Sequence, residues 1–105
     1  MALRNKQFTV IVSDEAAQML MEHVRFLVQV SEEAARRLVM EFNVKIRSLE
    51  EFPERNPWLI DPMIPSRKYR KLLLAKHYLL VYEIGDTHVF VDAVVDCRQD
   101  YAWLL

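Results

Sequence analysis

Residues 78 to 96 read YLLVYEIGDTHVFVDAVVD. Two runs rich in β-branched and aromatic residues flank Gly85-Asp86, a dipeptide that favours a tight reversal between strands. The stretch predicts an antiparallel hairpin, Tyr78 to Ile84 against His88 to Val95. With Gly85-Asp86 as a two-residue turn, Ile84 opposes Thr87, Tyr82 opposes Val89 and Leu80 opposes Val91. Side chains alternate between faces, so Tyr78, Leu80, Tyr82, Val89, Val91, Ala93 and Val95 share one face. That set is nearly all apolar and belongs against another layer of the chain. The opposite face receives His77, Leu79, Val81, Glu83, His88, Phe90, Asp92, Val94, Asp96 and Arg98.

Upstream, Tyr69 to Leu74 reads as a further strand. With Ala75-Lys76 as the turn after it, Arg70, Leu72 and Leu74 join the mixed face. Before it, the chain's four prolines, Pro53, Pro57, Pro62 and Pro65, crowd one window. Proline removes a backbone donor and restricts its predecessor, so Phe52 to Ser66 reads as irregular connection. A loop of that length in so small a chain is itself a functional suspect, and Trp58 within it reads as a plug over the core.

The first half is helical. Ser13 is a good N-cap with Asp14 and Glu15 behind it, where the helix dipole favours acids. Ala17, Leu20, Met21, Val24, Leu27 and Val28 then recur at helical spacing. Ser31, Glu32 and Glu33 repeat the signal, and Ala35, Leu38, Val39, Phe42, Ile46 and Leu49 continue the period. These elements predict two antiparallel helices joined by a tight turn. Phe8 to Val12 reads as a short strand ahead of them. The expected fold is α+β, β-α-α-β-β-β, with a small, mainly antiparallel sheet packed on a helical hairpin. All 105 residues read as one domain.

Composition narrows the function classes. A single glycine argues against Gly-rich phosphate loops. One cysteine, Cys97, permits no internal disulfide framework or thiolate cluster. Three scattered histidines give no metal-ligand spacing, and no cofactor is expected. No serine can be argued to approach a histidine in a hydrolytic triad. No secretory or membrane-spanning apolar run occurs, so a cytoplasmic location without membrane contact is expected.

Net charge is −1, but it is unevenly spread. Ser66 to His77 carries Arg67, Lys68, Arg70, Lys71 and Lys76 and no acid. Such a stripe suits a polyanion or an acidic partner; it equally suits a solvated edge strand, where lysines block aggregation. The mixed face, with Leu72, Leu74, Leu79, Val81, Phe90 and Val94, is too apolar to stay bare. Either a partner covers it, or Ala102 to Leu105 and the proline-rich loop fold over part of it.

Three stretches carry a resemblance. Ser48-Leu49-Glu50-Glu51-Phe52-Pro53 ahead of the loop, Tyr78-Leu79-Leu80-Val81-Tyr82-Glu83-Ile84, and Val94-Val95-Asp96-Cys97-Arg98-Gln99-Asp100 resemble the RelE/ParE superfamily of toxins. These belong to type II toxin-antitoxin systems, also described as plasmid stabilisation modules. The resemblance spans nearly the whole chain in element order, loop position and size. It implies a cognate antitoxin that wraps the toxin, with operator DNA reached only through that antitoxin.

The resemblance also implies one of two activities. RelE-like members are metal-independent endoribonucleases (mRNA interferases) that cut message on the ribosome. ParE-like members lack nuclease activity and poison DNA gyrase. Cleavage requires cations aimed at the developing phosphorane charge and a positioned acid or base. Carried over from the RelE-like pattern, Arg70 takes a strand-two lysine position, Arg98 the last-strand arginine and Tyr101 the C-terminal aromatic. His77 and Asp100 are further catalytic candidates. Arg67, Lys68, Lys71, Lys76 and Phe90 are candidate RNA- or partner-contacting residues. The departures are Leu79, where the pattern usually has arginine, and Leu72 and Leu74 at further basic positions. A phosphate desolvated against leucines gains little. The sequence expectation leans to RelE-like mRNA cleavage, because Arg67 to Lys71 can track a phosphate backbone. Gyrase inhibition, or a decayed member that retains only antitoxin binding, stands as the alternative.

Overall fold

The computed structural model describes residues 7–97. Its elements run β1 (Thr9–Val12), α1 (Asp14–Val30), α2 (Glu32–Leu49), a 3-10 turn (Pro53–Arg55), β2 (Arg70–Leu74), β3 (Tyr78–Ile84) and β4 (His88–Asp96). The sheet order is β1-β4-β3-β2, with β1 parallel to β4 and the other pairs antiparallel. This is the expected β-α-α-β-β-β arrangement. No helix among the described residues is long and apolar enough to cross a membrane.

Both predicted caps form. The Ser13 hydroxyl accepts from the Ala16 N–H at 3.0 Å, and the Ser31 hydroxyl accepts from the Ala34 N–H at 3.2 Å. Ser31 also ends α1, donating its N–H to the Leu27 carbonyl, so one residue forms the entire connection between the helices. The helices bury Ala16, Leu38, Phe42 and Leu49 against Leu72, Leu74, Tyr78, Leu80, Tyr82, Val89, Val91 and Val94. Full burial of aliphatic side chains such as Leu38 and Leu80 contributes roughly 1.5–3 kcal/mol each.

The β3–β4 register differs from the sequence expectation in two places, each with a physical reason. Ile84 pairs with Val89 and Tyr82 with Val91, so the connection takes in residues 85–88 and is closed by the Gly85 N–H on the His88 carbonyl at 2.7 Å. A shift of this parity keeps each side chain on its expected face. Further along, a β-bulge places Asp92 as an extra residue, and Val81 pairs with Ala93 while Leu80 pairs with Val94. The inserted residue reverses the alternation. Val94 therefore lies on the helix side, Asp96 opposes Tyr78, and Ala93 and Val95 lie on the outer side.

The second correction concerns β2. Leu74 pairs with Tyr78, so the turn is the three residues Ala75, Lys76 and His77. Ala75 and Lys76 adopt left-handed backbone at φ 45 and 70, which non-glycine residues seldom do. The added residue moves β2 by one position and exchanges its faces. Arg70, Leu72 and Leu74 share the side of Tyr82, Leu80 and Tyr78. The outer face receives Lys71 and Leu73 instead.

That outer face is covered in large part from within the chain. Leu59 and Ile64 of the proline-rich loop are buried with Leu79, Val81, Ala93 and Val95. The loop also lies along the free edge of β2: the Leu59 N–H donates to Tyr69 at 2.8 Å and the Lys71 N–H to Pro57 at 3.0 Å. Of the two expected sources of self-covering, the loop supplies this one, while Ala102 to Leu105 lie outside the described residues.

Candidate functional site

Arg70, the leading catalytic candidate, opens β2 and turns toward the loop. Its guanidinium donates to the carbonyls of Asn56 at 2.7 Å and Glu54 at 3.3 Å, and lies over the Trp58 ring at 3.8 Å. Tyr82, fully buried beside it, donates its hydroxyl to the Pro53 carbonyl and accepts from Asn56 Nδ2 at 3.1 Å. Burial pushes the Tyr82 phenol above its usual range, against the lowering effects of the Asn56 hydrogen bond and the Arg70 charge. Arg70 and Tyr82 together fasten residues 53–58 to the sheet. Trp58, half-buried, holds the arginine on its ring rather than packing into either apolar core.

His77 lies at the other end of β2, exposed in the three-residue turn. Its N–H donates to Ala75 at 2.8 Å, and its carbonyl accepts from the Cys97 N–H at 2.7 Å. At roughly 3.3 Å per residue, Arg70 and Leu74 alone are about 13 Å apart. Direct proton transfer requires an approach of roughly 3 Å, so His77 and Arg70 do not converge on one phosphate. Arg98, Asp100 and Tyr101 lie outside the described residues.

The expected contact residues spread along the same edge. Arg67 and Lys68 are exposed at the end of the loop, with Lys68 Nζ 5.4 Å from the Tyr69 ring centroid. Lys71 is half-buried on the outer face, and Lys76 is exposed beside His77. Phe90 is 41% exposed on the outer face near the hairpin end, stacked with His88 at 6.0 Å.

A feature unanticipated from the sequence is the pair Glu83 and Asp92. Asp92 is the bulged residue, and its Oδ2 is buried without a hydrogen-bond donor. Burial, followed by a hydrogen bond to Glu83 and the Glu83 charge, pushes the Asp92 carboxyl up to about 7; Glu15 raises it further and Lys68 opposes. Two acceptor-only groups can satisfy one another only by sharing a proton. Tyr69 is raised by its burial and by the same two carboxylates. The signal available in the sequence was a lone aspartate inside an apolar strand, on the same predicted face as Glu83.

On the outer face, then, a half-buried lysine stands with two neighbouring acids, Glu83 and Asp92, and an apolar floor roofed by a loop. Among the described residues no group of three or more histidine, cysteine or acid side chains could hold a metal ion. The described arrangement is suited to binding a surface and lacks converging cations for a phosphorane.

The helical hairpin adds apolar surface. Phe26, Val30, Met40 and Val44 are each at least 60% exposed, more large apolar side chains than a free surface usually leaves together on two helices.

Residues 10–101 match the family model described as the ParE toxin of the type II toxin-antitoxin system, parDE. Among solved structures, the chain is similar to the chromosomal ParDE toxin-antitoxin system from P. aeruginosa, with TM-score 0.68 and 13% identity over 87% of this chain and 97% of that one. At that identity the likeness speaks for the fold. No curated protein matches the sequence significantly.

Proposed function

The chain belongs to the ParE toxin family of type II toxin-antitoxin systems, and from that premise we propose that it acts by gripping a protein target, DNA gyrase, rather than by cutting message. The observation carrying this reading is the occupation of Arg70. Its guanidinium holds the Glu54 and Asn56 carbonyls and stacks on Trp58, so using it on a phosphate would release the loop. The outer face supports the same reading, since the Glu83–Asp92 pair and the leucine and valine floor oppose a phosphate. Membership also implies a cognate antitoxin, and the exposed apolar residues of the helical hairpin are the surface we assign to it.

Ribosome-dependent cleavage is the second reading, favoured by the exposed cations Arg67 and Lys68 at the loop end. Purified toxin should abolish supercoiling by purified gyrase at roughly stoichiometric dose and leave message intact in a translating extract. Unaffected supercoiling together with ribosome-dependent cleavage would reverse the assignment. Undisturbed growth on expression without antitoxin would instead point to a member retaining only antitoxin binding.

A further inference from the structure

The proline-rich loop has two sides with opposite characters. Its inner side is fixed: Leu59 and Ile64 are buried, the Leu59 N–H is paired with Tyr69, and the Ile64 N–H donates to the Asp61 carbonyl at 3.0 Å. Its outer side leaves Ile60 87% and Met63 66% exposed, although neither is needed to close the core. Beside Ile60 lies a cleft of about 420 Å³, walled by Trp58, Leu59, Pro62 and Ile64, with Ser66 and Arg67 at its rim. An apolar hollow held open by an anchored loop is pre-formed, so little ordering cost falls on a ligand.

Charge indicates what would enter. Arg67 stands in left-handed backbone at φ 58, an outlier for a bulky side chain that points to a constraint at this position. It is exposed, and the only ion pair among the described residues is Arg37 with Glu33. Lys68 and Lys71 follow it, and residues 66–77 contain no acid. Asp61, the one acid on the cleft, is turned back to accept from the Met63 N–H at 2.8 Å. A hollow roomy enough for a branched aliphatic side chain together with its flanking backbone thus sits beside Arg67. Arg67 has no ion-pair partner among the described residues, while Lys68 next to it also acts on Asp92. Nucleic acid suits it poorly. The Trp58 ring already carries the Arg70 guanidinium on one face, and the walls offer few groups to read a base edge.

We propose that this cleft docks an extended acidic segment of a protein partner. One aliphatic anchor fills the hollow between Trp58, Ile60, Pro62 and Ile64, and flanking carboxylates pair with Arg67, Lys68 and Lys71. The proposal rests on the reading above only in taking a protein, not RNA, as the partner. Apolar anchor and charge act together here, so binding should depend on both.

The test is fluorescence anisotropy with the purified chain and three labelled probes: a decapeptide of glutamates and aspartates with one central leucine, the same peptide with alanine for leucine, and an oligouridylate of equal charge. The leucine peptide should bind at least tenfold more tightly than the alanine peptide and more tightly than the oligouridylate. Ile60→Ser and Arg67→Glu should each weaken it by about tenfold, with melting temperatures unchanged because both side chains are exposed. Equal binding of the two peptides, preference for the oligouridylate, indifference to both substitutions, or no binding up to millimolar peptide would each overturn the proposal. Supercoiling measured on the same samples separates its failure from that of the gyrase reading, since either result can occur without the other.

Discussion

Replacing Asp92 with asparagine should stabilise the fold at neutral and alkaline pH and do progressively less as the solution is acidified. The Asp92 carboxyl titrates near 7 in the folded chain, against an ordinary value of 3.8. A group whose folded pKa is raised binds more protons in the native state than in the unfolded state between those values. Stability therefore falls as pH rises from about 4 to 7 and levels off above that. Fully expressed, the gap between 3.8 and about 7 would be worth about 4 kcal/mol. The side chain is only half-buried, and solvent screening reduces this to roughly 1–2 kcal/mol. Asparagine keeps the size, removes the charge that burial penalises and supplies a permanent donor toward Glu83. Denaturant unfolding of both proteins at several pH values from 4.5 to 8.5 gives the difference directly, and the advantage of Asp92→Asn should grow by about 1–2 kcal/mol across that range. Glu83→Gln should reproduce only part of the effect, because burial, the largest cause of the Asp92 shift, remains, and the two substitutions should be non-additive because the groups interact. A pH-independent difference, or an asparagine variant less stable at pH 8 than at pH 4.5, would refute the shared-proton account.

Two further substitutions test how the loop is held. Tyr82→Phe removes the donor to Pro53 and the acceptor of Asn56; it should cost about 1–3 kcal/mol and speed amide exchange in residues 53–58 while leaving the helices protected. Arg70→Lys keeps the charge but loses the two-carbonyl geometry and the stacking on Trp58. It should lower stability by about 1–2 kcal/mol and loosen Trp58. A variant as stable as the parent yet inactive would return Arg70 to a role in chemistry.

The strands, both helices and both serine caps were legible because each rests on local chemistry: periodicity, a hydroxyl at a helix start, prolines confined to one window. Face assignment was not, because it depends on counting residues across turns. Ala75 and Lys76 carry no sequence mark of left-handed backbone, and the chain's one glycine stands elsewhere, at Gly85. A three-residue turn there transfers Arg70, Leu72 and Leu74 to the helix side. The bulge at Asp92 is equally silent, yet it exchanges Val94 with Ala93 and Val95 and leaves Asp92 without a partner in the ladder. The candidate site suffered most, since a cation is visible in sequence but the carbonyls that occupy it are not.

The three leucines at usually basic positions take on a different meaning once their burial is known. Leu72, Leu74 and Leu79 are 6%, 0% and 8% exposed. Two pack under the helices and the third under the proline-rich loop. A lysine or arginine at any of them would carry its charge into an apolar interior without a partner, at a cost of several kcal/mol. Restoring a cationic face would therefore require moving the loop or repacking the helix side. Arg70 is constrained from the other direction, since freeing it for a phosphate would surrender the contacts that hold the roof over Leu79 and Val81. In the described residues, the packing that stabilises this fold and the charge array needed for phosphorane stabilisation compete for the same positions. That competition is the physical ground on which we propose surface recognition rather than cleavage.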